Sequence, residues 1–173
     1  MKPIFALTIL TSLFFSACSS EKPQKAVIDP AVYRVKNADE LQQKINLLNQ
    51  QLAQDYQKFK KKEYIAFSDQ SALDTNDLKT LSLHAVSSTS LKPTKEAYCT
   101  MMNTYFNELY RLGHYNLNLL NDVKMNNAPQ ADLKHKFENT DQFYTFILEE
   151  HSTYKHAQQL MGFGCNLRGA LNP

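Results

Sequence analysis

Five histidines, three cysteines, nine tyrosines and a run of lysines at 58, 60, 61 and 62 are the side chains of this sequence with chemistry to offer. His84, His114, His135, His151 and His156 are never three or four apart, the spacing that aims two imidazoles from one helix at one metal. His151 and His156 are five apart, which is about 140° around a helix. The Glu-x-x-His signature of di-iron bundles is absent, because Ser152 and Thr153 stand three residues after Glu149 and Glu150. Glu149 and Glu150 beside His151 have the right groups for acid–base work, but helical neighbours point about 100° apart. An enzyme would need His151 to share a pocket with Glu150 or His114. Four glycines make no G-x-G-x-x-G or phosphate loop, and there is no H-E-x-x-H. The reading is therefore no enzyme, no metal and no cofactor. A formal net charge of +2 gives no case for nucleic acid.

Two other groups of side chains suit binding better than catalysis. Lys58, Lys60, Lys61 and Lys62, with Phe59 and Tyr64 among them, could meet anionic phospholipid, lipopolysaccharide phosphate or an acidic partner. The plainer reading is a solvated helix end, where cations complement the dipole. Tyr98, Tyr105, Tyr110 and Tyr115 line one stretch with Phe106. Core packing is the default for such a row. A buried tyrosine needs a partner for its hydroxyl, so this many suggest a half-open groove for a peptide or helix.

The first residues carry an address. Lys2 supplies a positive start, and Ile4 to Phe15 is an apolar run of secretory-signal length, too short to span a bilayer. The run ends Phe15-Ser16-Ala17-Cys18, which resembles the lipobox of bacterial lipoproteins. That resemblance implies cleavage before Cys18, a diacylglyceryl group (palmitate or a similar chain) on its thiol, and acylation of its new amino group. Two or three such chains anchor a protein stably. Ser19 follows, and in Gram-negative lipoproteins this looks like sorting to the outer membrane, facing the periplasm. A plain secretory cut after Ser19 is the open alternative.

Residues 18–36 hold two prolines and no sustained period, and read as a tether. Its eighteen residues after Cys18 span at most about 60 Å. Cys99 and Cys165 then form an even pair in an oxidising compartment and are expected as a disulfide.

Residues 37–173 must position these groups, and their period is helical. Asn37 to Glu40 has the form of a capping box. Leu41, Ile45, Leu48, Leu52, Tyr56 and Phe59 follow on one face, predicting a helix from about Ala38 to Tyr64. A short helix near Asn76–Val86 precedes the loop Ser87–Ser90. A third helix is expected from Pro93 or Thr94 to about Met125, with Gly113 marking a kink or a close crossing. Asn127 with Gln130 suggests a second capping box, and a fourth helix is expected from about Ala128 to Met161, stopped by Gly162. The Gly162–Gly164 segment can then fold Cys165 back to the start of the third helix. The expected fold is all-α, an antiparallel bundle of three long helices and one short one.

The sequence therefore favours an outer-membrane lipoprotein that binds an envelope protein and assists its assembly or placement. An immunity or inhibitor lipoprotein shares the same physics. An apolar-ligand module is the alternative, and it requires a cavity of at least about 300 Å³ between the long helices.

Overall fold

The computed structural model describes residues 28–67, 69–76, 84, 86–125 and 137–173. Among these the chain is all helical. Helix α1, Ala38–Lys62, starts as its sequence requires. The Asn37 Oδ1 accepts from the Glu40 N–H at 2.9 Å, and the Glu40 carboxylate reaches back to the Lys36 N–H at 2.9 Å. Five of the six expected stripe residues are buried, and Leu48 is half-buried. Asn49 and Lys60 are buried on the same stripe.

Helix α2, Lys92–Tyr115, carries Pro93 in its first turn, where a missing N–H costs nothing. It stops ten residues short of the expected Met125. Asn116 leaves the helix, and its side chain is claimed by backbone. Its Nδ2 donates to the Leu112 and Tyr33 carbonyls at 2.7 and 2.9 Å, and its Oδ1 accepts from the Val35 N–H at 2.9 Å. The chain continues as a 3-10 turn, Leu117–Asp122, which buries Leu120.

Helix α3, Thr140–Met161, also starts later than expected. Its cap is Asn139, which accepts from the Gln142 N–H at 2.9 Å, while Gln142 accepts from the Glu138 N–H at 2.6 Å. This repeats the arrangement at the start of α1. The expected box at Asn127–Gln130 and most of the expected Asn76–Val86 helix lie outside the described residues. Gly162 ends α3 at φ 68°, the left-handed conformation that glycine takes freely. Cys165 follows, then a single helical turn, α4, Leu167–Ala170.

Helix α2 lies between its two long neighbours. Against α1 it runs antiparallel. The Tyr105 hydroxyl donates to Asn49 Oδ1 at 2.8 Å near mid-length, and Thr94 Oγ1 donates to Glu63 at 2.8 Å at one end. At the other end the Lys124 N–H donates to Gln42 Oε1 at 2.6 Å. Against α3, Gly113 is the point of close crossing. A Cβ there would overlap the Phe143 ring, so of the two sequence readings the close crossing is the one realised. Cys99 and Cys165 are joined, with Cα atoms 5.3 Å apart.

The tether is shorter than the sequence suggested. Asp29 caps a 3-10 turn at Pro30–Val32. The Tyr33 hydroxyl donates to the Glu108 carboxylate at 2.9 Å, and its ring stacks on Tyr115 at 5.9 Å. Residues 29–36 are thus fastened to the C-terminal end of α2. Cys18 and the signal segment lie outside the described residues. No described helix is long and apolar enough to cross a membrane.

Candidate interaction surface

The tyrosine row does not form an open groove. Tyr98, Tyr105 and Tyr110 are buried, and Tyr115 is half-buried. Neighbouring elements cover them, through the Tyr105 hydroxyl in one case and through ring contacts in the others. Tyr105 has Asn49. Tyr98 stands edge-on to Tyr56 at 6.1 Å, and burial holds its phenol well above the ordinary value. Tyr110 stacks on Phe143 at 6.2 Å. The row joins α2 to its neighbours, and the default core reading replaces the groove.

The lysine run is split. Lys58, Lys61 and Lys62 are exposed, whereas Lys60 is 0 % exposed. Lys60 sits four residues after Tyr56, on the buried stripe. Its Nζ lies 2.9 Å from both the Asp69 and Ser71 carbonyls and 2.7 Å from His84 Nδ1. The Tyr56 and Phe67 rings flank it, with centres 5.8 and 5.5 Å away. The Tyr56 hydroxyl also donates to the His84 carbonyl. Burial pushes the Lys60 ammonium below its ordinary value, partly offset by the Asp69 carboxylate. His84 is pushed down first by burial and then by the Lys60 charge. Hydrogen bonds from Ser71 are the main cause of Asp69 being held below the usual carboxylate range. No substrate reaches an amine so enclosed. What it does is fasten the chain after Phe67 to α1.

Just beyond Lys60 the fold reverses its usual economy. The 3-10 turn Tyr64–Ala66 leaves Tyr64 65 % and Ile65 83 % exposed, and Leu91 beside it is 75 % exposed. A cavity of about 290 Å³ opens between them, floored by Ala66, Ser87 and Thr94. Exposed Lys62 lines it, and exposed Lys61 and Lys92 are the chain neighbours of its lining residues Lys62 and Leu91. The carboxylates there already have partners: Glu63 meets Thr94, and Glu96 meets Lys92 at 3.5 Å. A wider groove of about 800 Å³ runs past the disulfide, lined by Lys92, Lys95, Thr100, Asn103 and Phe163. Both openings share the first turns of α2. Neither lies between the long helices, where the apolar-ligand reading needs its cavity. Sequence reasoning missed Ile65 and Leu91. Their signal was position, since each is a large apolar residue in a polar connection outside any periodic stripe.

The remaining candidates offer less. His114 is half-buried against Tyr110 and Tyr115, is pushed down by burial, and has no hydrogen bond at Nδ1. His135 lies outside the described residues, as do the side chains of Glu149, Glu150, His151 and His156. Among the described residues no three His, Cys, Asp or Glu converge as a metal site. Comparison with known proteins finds no matching family model, no matching curated protein and no matching solved structure.

Proposed function

We propose that this chain is a non-enzymatic lipoprotein, anchored through Cys18 in the outer membrane and facing the periplasm, that docks an envelope protein and assists its placement. In this reading the three long helices are an antiparallel bundle carried on residues 18–28. The observation that carries it is the exposed Tyr64–Ile65–Leu91 tip. Its cost is avoidable: apolar surface returns about 25 cal/mol per Å² when covered, and here three large side chains stay in water. The chain enters at the opposite end, where Tyr33 is fastened beside Glu108. Helix α1, of 25 residues, separates the two ends by about 37 Å at 1.5 Å per residue. The tip thus lies at the end of the pair away from Tyr33. The exposed lysines around it favour a partner that presents apolar side chains flanked by carboxylates.

The test is affinity purification of the tagged protein from gently solubilised envelopes. A soluble Cys18→Ala form and an Ile65→Asp form run beside it. The expected result is one near-stoichiometric protein, retained by Cys18→Ala in mixed extracts, released by salt, and lost with Ile65→Asp. Recovery of lipid alone, or of a partner indifferent to Ile65→Asp, overturns the reading.

A further inference from the structure

We propose that Lys60 and His84 form a proton-operated latch, in which a second proton on the pair releases the Asp69–Ser71 and His84 backbone from α1 and reshapes the adjoining tip. The inference goes beyond the docking reading and rests on the geometry of the pair, so it stands whatever the partner is.

An ammonium has three N–H bonds, and three acceptors surround Lys60 Nζ: the Asp69 and Ser71 carbonyls at 2.9 Å and His84 Nδ1 at 2.7 Å. An amine is the stronger base, with an ordinary value of about 10.4 against about 6.5 for imidazole. The proton of the pair therefore sits on Nζ. His84 must then be neutral, with its hydrogen on Nε2 and its Nδ1 lone pair toward the lysine. A proton added to His84 fills that lone pair. It removes one acceptor and sets two cations 2.7 Å apart, where Lys60 is 0 % and His84 3 % exposed. Water cannot screen them there.

The surrounding groups offer no remedy. From α1, Tyr56 gives its hydroxyl to the His84 carbonyl. From α2, Tyr98 packs behind Tyr56 as a neutral phenol. Asp69 is the facing carboxylate, and it is committed to Ser71. The pair separates instead, and what moves is the less regular partner. Residues 69–71 lie outside any helix, and three residues beyond His84 begins Ser87–Leu91, which lines the tip cavity.

The sign follows from linkage. The unfolded or opened chain binds a proton at the ordinary imidazole value, and the closed chain refuses it until lower pH. Closure is therefore complete above about pH 6.5 and weakens as pH falls below it. One proton is involved, so the closed-to-open ratio falls by up to tenfold per pH unit in that window.

Backbone hydrogen exchange on the full soluble chain, corrected for intrinsic rates, tests this from about pH 7.5 to about pH 4.5. In the wild type, the amides of Phe67, Ser71 and Ser87, hydrogen-bonded in the closed form, should gain exchange by up to tenfold per unit, while amides where α2 crosses α3 at Gly113 stay protected. His84→Gln keeps an acceptor without a titrating proton, so its profile should be flat. Constant protection in the wild type, or acid opening in His84→Gln, overturns the latch. Should His84→Gln fail to fold, the wild-type imidazole nitrogens decide by NMR. They should show hydrogen on Nε2 at neutral pH and a titration below the ordinary value, in step with the exchange. A titration at or above that value, or one out of step, overturns the proposal.

Discussion

At the end of the α1–α2 pair where the chain enters, Asn116 spends its amide on three backbone groups from Tyr33, Val35 and Leu112. Gln42 both accepts from and donates to the Lys124 backbone, and Arg111 reaches the Asn172 carbonyl at 2.9 Å. At the far end the work falls to a buried cation, Lys60, and to the Cys99–Cys165 disulfide, while Tyr64, Ile65 and Leu91 stay in water. Both ends solve one problem, which is to hold irregular chain against helix tips whose backbone groups need partners. The Asn116 and Gln42 amides carry no titrating proton, and the Arg111 guanidinium beside them stays charged. A lysine that needs a neutral histidine solves it conditionally. In the proposed reading, a closed joint and a conditional one on the same helix pair separate a supporting end from a working end.

Removing the disulfide is the largest way to break this contrast. The bridge joins positions 66 apart in sequence, worth about 4 kcal/mol in the loop-entropy account. Cys99→Ser with Cys165→Ser should lower the urea midpoint accordingly, and exchange should rise first around Cys165 and the first turns of α2. A loss spread evenly to the Asn116 end would show that the ends are not independent. Asn116→Ala should cost less, about 2 kcal/mol, since it strands buried backbone groups at one joint. Urea titrations at two pH values sharpen the comparison. The Asn116→Ala loss should be equal at both, whereas wild-type stability itself falls below about pH 6.5 as His84 is forced to charge.

Part of each end could be read from residue order. The Asn37 box, the α1 stripe, the Gly162 stop and the cysteine pair are local or compositional signals, and each is realised. The same logic would have found the start of α3, because Asn139 with Gln142 repeats the Asn37–Glu40 form; the expected start near Ala128 passed over it. The end of α2 was not legible, because Asn116 is turned out of the helix by Tyr33 and Val35, some 80 residues earlier in the chain. The tyrosines were misjudged for a related reason. Hydroxyl partners such as Asn49 come from another helix, and a row of tyrosines alone does not show them. Lys60 was hidden by its neighbours. Charge counting grouped it with Lys58, Lys61 and Lys62, although its spacing from Tyr56 placed it on the apolar stripe.

The smallest expected effect on stability is the one that bears most on function. Ile65 and Ile45 are the same residue type, 83 % and 2 % exposed. Ile45→Ala removes packed core and should cost about 2–4 kcal/mol. Ile65→Asp removes almost no packing, lies in a one-turn 3-10 segment, and gains lysine neighbours. Its unfolding free energy should stay within about 0.5 kcal/mol of wild type. If the tip is a working surface, a carboxylate at its most exposed apolar point repels the acidic partner and leaves the fold intact. Thermal unfolding and partner capture on the same preparation measure both quantities. Binding lost at unchanged stability separates the ends as proposed, because the residue does nothing for the fold. A stability loss comparable to that of Ile45→Ala would instead mean that Ile65 is covered within the chain itself, and the far end would be a second supporting joint.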